Sequence, residues 1–177
     1  MCSSDLENIV DCRRFFYDQL IDRIRGLSAK EAALEINYWC AENGSYEASD
    51  RRTISPVTLY KSGKGRCGEE STFAVTAFRS VGIPARQVYT PRWAHCDDNH
   101  AWVEVYVDGK WHFLGACEPE EILDKGWFSS ASSRALLVHS RSFSDFMSER
   151  KEGCLGKQEL RSEEHTSELQ SLAYLVC

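Results

Sequence analysis

The sequence predicts an α+β fold in which N-terminal helices and a central cysteine-bearing helix pack on an antiparallel sheet. Three observations carry that expectation. Apolar residues recur at helical spacing up to about residue 81. Beyond it the spacing changes to strict alternation, as in Ala101-Trp102-Val103-Glu104-Val105-Tyr106-Val107. Between two alternating runs stands Asp108-Gly109, whose residues tolerate the left-handed backbone of a type I′ hairpin turn. Helices first and hairpins afterwards is the pattern of an α+β domain.

The elements follow in order. Asp11 to Arg25 places Phe15, Phe16, Leu20, Ile21 and Ile24 along one side of a helix that ends at Gly26. Ser28 caps a second helix with Glu31 as its capping-box partner, and Leu34, Ile36, Tyr38 and Trp39 carry its apolar side to about Cys40. Glu42 to Pro56 reads as an irregular polar connection, and Thr58-Leu59-Tyr60 leads into Gly63 and Gly65. From Cys67 to Val81, Phe73, Ala74, Ala77, Phe78 and Val81 mark a third helix, stopped by Gly82-Ile83-Pro84. Strands are expected at Ala85–Tyr89, Ala101–Val107 and Trp111–Leu114, with another at Ala135–His139, and His95 to Asn99 forms a polar loop. The alternation gives Val103, Val105 and Val107 the core face and His100, Trp102, Glu104 and Tyr106 the other.

The chain has 177 residues, enough for one domain with an ordinary core, and 21 basic against 27 acidic side chains. No Lys/Arg cluster suggests a nucleic-acid surface, and no apolar run approaches the roughly 20 residues that span a bilayer. The ends are set apart. Arg161 to Ser171 and Met1 to Leu6 match translations of opposite strands of one sequencing adapter, so 1–6 and about 161–177 are expected to be non-native. The expected domain is 7–160, a fragment with 20 basic and 23 acidic residues, whose motif-bearing core runs from about 55 to 140. A missing leader then says nothing about compartment, and localisation stays open.

Cys67 is the candidate nucleophile. A thiol is mostly protonated at neutral pH, and a helix N-terminus with a nearby imidazole are the two aids that favour thiolate. Gly63 and Gly65 just before it are expected to keep backbone bulk away from an approaching substrate carbonyl. His100, at the start of the alternating strand, is the candidate base. His95-Cys96-Asp97-Asp98-Asn99-His100 contains metal-ligand types, but no second Cys/His pair supports them, so neither a metal nor another cofactor is expected. With Cys67 reserved, Cys12, Cys40, Cys96, Cys117 and Cys154 make no tidy disulfide framework.

Arg66-Cys67-Gly68-Glu69, Phe78 to Arg86, Asn99-His100-Ala101-Trp102-Val103-Glu104-Val105 and the Asp108-Gly109-Lys110-Trp111 turn resemble motifs of the transglutaminase-like superfamily. That papain-related group includes transglutaminases, bacterial peptidase-like members and peptide:N-glycanases. The resemblance implies Cys67 as nucleophile and His100 as base, later acid. It implies acyl transfer from an amide through a thioester, on a protein or peptide substrate. It also implies an aspartate soon after the next tryptophan, in Trp-x-x-x-Asp-Pro. Here the chain reads Trp111-His112-Phe113-Leu114-Gly115-Ala116-Cys117-Glu118-Pro119, with glycine at the expected aspartate.

Glu118 is the nearest substitute. Strand alternation turns it away from Gly115's side, so it serves only if the chain bends around Gly115-Ala116. Otherwise the site is a Cys-His dyad, or inactive. An oxyanion would be held by the Cys67 backbone N–H and a second donor, with Tyr60 and Trp39 as candidates. Trp93 and Trp102 are candidate cleft walls. Two alternatives stay open: deglycosylation of glycopeptides, suggested by Cys117-Glu118 and Gly126-Trp127 though the glycanase zinc-binding cysteine pairs are absent, and a non-catalytic domain that binds glycan or protein.

Overall fold

The computed structural model describes residues 11–49, 53–142 and 157–161, the last five and 141–142 by backbone alone. The element order is α1 (Cys12–Ile24), α2 (Ala29–Asn43), β1 (Ser45–Tyr46), α3 (Pro56–Ser62), β2 (Lys64–Gly65), α4 (Cys67–Ser80), β3 (Ala85–Thr90), β4 (His100–Val107), β5 (Lys110–Leu114), the single turn α5 (Ser129–Ser132), β6 (Val138–Ser142) and β7 (Lys157–Arg161). The main sheet has the strand order β5-β4-β3-β6-β7. The α+β expectation holds, with helices leading and antiparallel strands following.

The chain divides into two compact units. The first takes the described residues up to Gln87 together with Ala101–Gly126; the second takes Val88–His100 and the described residues from Trp127 onward. In the first unit α4 is the hub, and α1, α2 and α3 all pack on it. Their apolar sides meet Val103, Val105, Val107 and Leu114 of the β4–β5 hairpin in one core. That core is aromatic at its centre. Phe16 meets Trp39 and Phe73 with ring centroids at 5.9 and 5.5 Å, and Trp39 stacks on Tyr60 at 5.7 Å. Asp108 and Gly109 both have positive φ, as the I′ turn between β4 and β5 requires.

The caps are as the sequence implies. Ser28 Oγ accepts from Glu31 N–H, and Glu31 Oε2 accepts from Ser28 N–H at 2.8 Å, so α2 starts on a reciprocal capping box. Ser28→Ala is expected to cost about 1 kcal/mol in a urea melt; a change under a few tenths would mean that the cap contributes nothing.

Two expectations need correction. Thr58-Leu59-Tyr60, read only as the lead-in to Gly63 and Gly65, lies in α3, started by Ser55 as N-cap and Pro56 in the first turn. The connection read as irregular holds β1, which pairs in parallel with β2 through Ser45↔Lys64 and Tyr46↔Gly65. The face of β4 opposite the valines is covered at Trp102 and Glu104, which are buried. Glu104 is tolerated there because Arg86 Nε donates to it at 2.7 Å, with the guanidinium 4.2 Å above the Trp111 ring.

In the second unit, β3 pairs antiparallel with β6 through Val88↔Ser140 and Tyr89↔His139, and β6 pairs with β7 from Val138↔Arg161 to Ser142↔Lys157. The strand expected at Ala135–His139 lies later, as β6 starting at Val138.

Candidate active site

Cys67 is the first residue of α4, partly exposed, where the backbone N–H groups of the opening turn point along the helix axis. The residues before it fix that position. Gly63 takes a left-handed conformation (φ 70°) and closes α3 by donating to Leu59 O at 2.7 Å. Gly65 is buried, and a Cβ there would lie 2.6 Å from Leu59 Cδ1. Gly63 therefore serves chain reversal and Gly65 close packing.

The helix start is held from two sides. Glu69 accepts from Arg66 N–H at 2.9 Å, from the Arg66 guanidinium at 2.9 Å and from Ile54 N–H at 3.2 Å. Burial works to raise its pKa, but these hydrogen bonds outweigh it and hold the carboxyl below the usual range. On the other side Gln87 Nε2 donates to Gly68 O at 2.9 Å and to Ser71 Oγ at 2.6 Å, tying β3 to the turn that carries Cys67.

Glu70 behaves oppositely. It is buried, and burial first, then the charges of Glu118 and Glu69, push its pKa up to about 8. At neutral pH it is a neutral acid. Residues three apart are neighbours on a helix, so an ionised Glu70 would oppose thiolate at Cys67; neutral, it does not.

The bend that Glu118 needs is present. β5 ends at Leu114, Cys117 takes a positive φ of 58°, and Glu118 N–H donates back to Gly115 O at 3.3 Å. The Glu118 side chain folds over Gly115. A Cβ built on Gly115 would stand 2.9 Å from Glu118 Cβ and 3.1 Å from its Cδ, with Oε2 closer still. The carboxylate of Glu118 thus fills the space into which a side chain at 115 would project. Buried Asn37 on α2 clamps this turn, its Nδ2 donating to Gly115 O at 2.9 Å and to Glu118 O at 3.2 Å, and its Oδ1 accepting from Cys117 N–H at 3.1 Å. Burial pushes the thiols of Cys40 and Cys117 well above the ordinary range, the latter also through Cys40, Glu70 and Glu118, so neither competes as a nucleophile.

His100 belongs to the second unit, buried in a cage of rings: Trp93 stacks at 5.9 Å, Trp127 lies at 4.7 Å and Phe128 at 5.0 Å. Burial lowers its pKa to about 4 against the opposing pull of Asp98, so the imidazole is neutral above that pH and can take a proton. Trp93 also lines a cleft of about 330 Å³ between Pro91–Asp97 and Leu136–Leu137, and exposed Trp127 meets it edge to face at 6.3 Å.

The remaining candidates divide. Tyr60 is partly buried and lies against Trp39, which is itself buried. Trp102 has no exposed surface, so it packs the interior and walls no cleft. Sequence reasoning missed Asn37, Glu70 and Phe128, and it singled out Trp127 without placing it beside His100. A signal existed for the first: Asn37 interrupts the buried stripe between Ala33, Ile36 and Cys40. Among the described residues no disulfide forms, no group of three or more potential ligands is placed to hold a metal ion, and no helix is long and apolar enough to cross a membrane.

Known structures resemble this arrangement. LapG of Legionella pneumophila is 19% identical, matching over 78% of this chain and 83% of its own with a TM-score of 0.51, and its calcium-bound form gives 0.52 at 20% identity, over 77% and 81%. A candidate cysteine protease from Cytophaga hutchinsonii is 17% identical over 92% of this chain, with a TM-score of 0.50; this chain spans about half (53%) of its length. A candidate protease from Parabacteroides distasonis, 20% identical with a TM-score of 0.46, is matched over 60% of this chain and 23% of its own. At these identities the likeness concerns the fold. No curated protein matches the sequence. The family model of the transglutaminase-like superfamily, whose chemistry is that of cysteine-dependent hydrolases and transferases, matches residues 18–116. Matched over more than half of its length, the chain belongs to the transglutaminase-like superfamily.

Proposed function

We propose that this protein performs cysteine-dependent acyl transfer on amide bonds of proteins or peptides, with Cys67 as nucleophile, His100 as base and acid, and Glu118 as the carboxylate that orients and supports the imidazole. The observation that carries the reading is the placement of Glu118: the chain lacks a side chain at Gly115, and a carboxylate fills that space. The partly exposed Cys67 at the start of a 14-residue helix and the neutral, buried imidazole of His100 support it. The name of the Cytophaga protein favours a protein substrate.

In the reaction, the Cys67 proton passes to His100 as the sulfur forms a bond to the amide carbonyl carbon. The oxyanion takes hydrogen bonds from the Cys67 backbone N–H and one further donor, for which Tyr60 is better exposed than Trp39. His100 then protonates the leaving nitrogen, the C–N bond breaks, and a thioester remains. Water or an amine attacks the thioester, the C–S bond breaks, and the thiol is restored. Hydrolysis and transamidation share every step but the last.

Dilute iodoacetamide at pH 6 is expected to alkylate Cys67 at least about tenfold faster than an ordinary thiol of pKa near 8.5, read by peptide mass spectrometry. The advantage is expected to vanish in His100→Ala. A Cys67 no more reactive than free cysteine, or one indifferent to that substitution, would overturn the assignment.

A further inference from the structure

The turn that presents Glu118 has no regular secondary structure, and Gly115 leaves its backbone without a side chain of its own. What holds it is a residue 78 positions earlier. Asn37 spends both halves of its amide on this one turn: Nδ2 on the carbonyls of Gly115 and Glu118, Oδ1 on the N–H of Cys117. A buried amide with its donors and acceptor so committed fixes the backbone on either side of Cys117. Cys117 is the left-handed residue on which the bend depends, since its positive φ brings Glu118 back over Gly115. The side chain is buried, and α2 itself packs on the helix carrying Cys67.

We infer that Asn37 is a positioning residue for the reaction, locking the 115–118 turn so that the Glu118 carboxylate stands where an aspartate at 115 would stand. This rests on the role given to Glu118 above. An aspartate on a strand is aimed by its own strand. A glutamate three residues later, past a bend, is aimed only if the bend is fixed, and Asn37 fixes it.

The test is a double-mutant cycle read on Cys67. Asn37→Leu keeps the side chain's size and removes all three hydrogen bonds; Glu118→Gln keeps the turn and removes the charge. The rate of Cys67 alkylation by iodoacetamide is followed from pH 5 to 8 in the four proteins, each checked for a cooperative thermal transition. Each single variant is expected to lose about tenfold at pH 6 and to move the reactivity profile to higher pH, the scale of coupling between residues in one network. Asn37→Leu in the Glu118→Gln background is expected to cost less than about twofold further. Equal losses in both backgrounds would overturn the inference while leaving Glu118 its role. A Glu118→Gln protein as reactive as the parent would overturn the role of Glu118 and, with it, the inference. Should Asn37→Leu not fold, Asn37→Asp retains the acceptor for Cys117 and loses the donors, and the same cycle applies; failure of both to fold would make Asn37 a folding residue and reject a positioning role.

Discussion

Gly115→Asp is expected to destabilise the protein, and Glu118→Ala in the same chain to relieve it. The glycine has an ordinary backbone conformation, so an aspartate there meets no torsional penalty; the obstacle is space. Its Cβ would lie 2.9 Å from Glu118 Cβ, and its carboxylate would contend with that of Glu118 for one position beside buried Glu70. Overpacking of this kind costs about 1–3 kcal/mol, and a second negative charge in the same place adds to it. Removing the Glu118 side chain frees the volume and leaves one carboxylate, now carried on residue 115. Urea melts should place Gly115→Asp well below the parent and Gly115→Asp/Glu118→Ala within about 1 kcal/mol of it. Cys67 alkylation should recover in the double variant relative to Glu118→Ala alone. If the single variant is as stable as the parent, the two side chains do not share that space.

Glu70→Gln is expected to remove most of the pH dependence of stability between pH 6.5 and 8. In the folded protein Glu70 holds its proton up to about pH 8, whereas in the unfolded chain it ionises near the ordinary glutamate value of 4.5. A group with a raised folded pKa stabilises most below its unfolded pKa, and that contribution drains away as pH rises toward the folded value. A shift of this size corresponds to about 5 kcal/mol across the whole window. His100 gives the opposite slope, because its folded pKa is lowered to about 4: it costs nothing above pH 6.5 and destabilises progressively as pH falls from 6.5 to 4. The two effects oppose each other below pH 6.5, so Glu70 stands clear of His100 only above it. Chemical denaturation at pH 6.5, 7.2 and 8 in the parent and Glu70→Gln measures the slope. An equal decline in both proteins would mean that Glu70 is ionised in the native state.

Local signals were readable in the chain and distant ones were not. The Ser28/Glu31 capping box, the Asp108-Gly109 turn and the apolar stripe of α4 need only neighbours within a few residues, and all three stand as the pattern implied. Ser55-Pro56 carried a legible helix start, yet the following helix has only seven residues, too few for a periodic stripe to speak. The two-residue parallel ladder between β1 and β2 has no signature in either segment. Burial of Glu104 depends on Arg86, 18 residues away and on another strand. Alternation correctly warned that Glu118 would face away from Gly115 on a continued strand, and named the bend that would bring it back. It could not supply the bend, because the residue that holds it is Asn37 on α2.

The relocation of the acid from residue 115 to Glu118, proposed above, bears on how such chains are recognised. A pattern that demands an aspartate four residues after Trp111 rejects this sequence and files it among degenerate members. A pattern written for where the acid ends up in space would accept glycine at that position, glutamate three residues on, and an asparagine in the second helix. Surveyed that way, sequences set aside as lacking the third residue would separate into those that have lost the acid and those that have moved it.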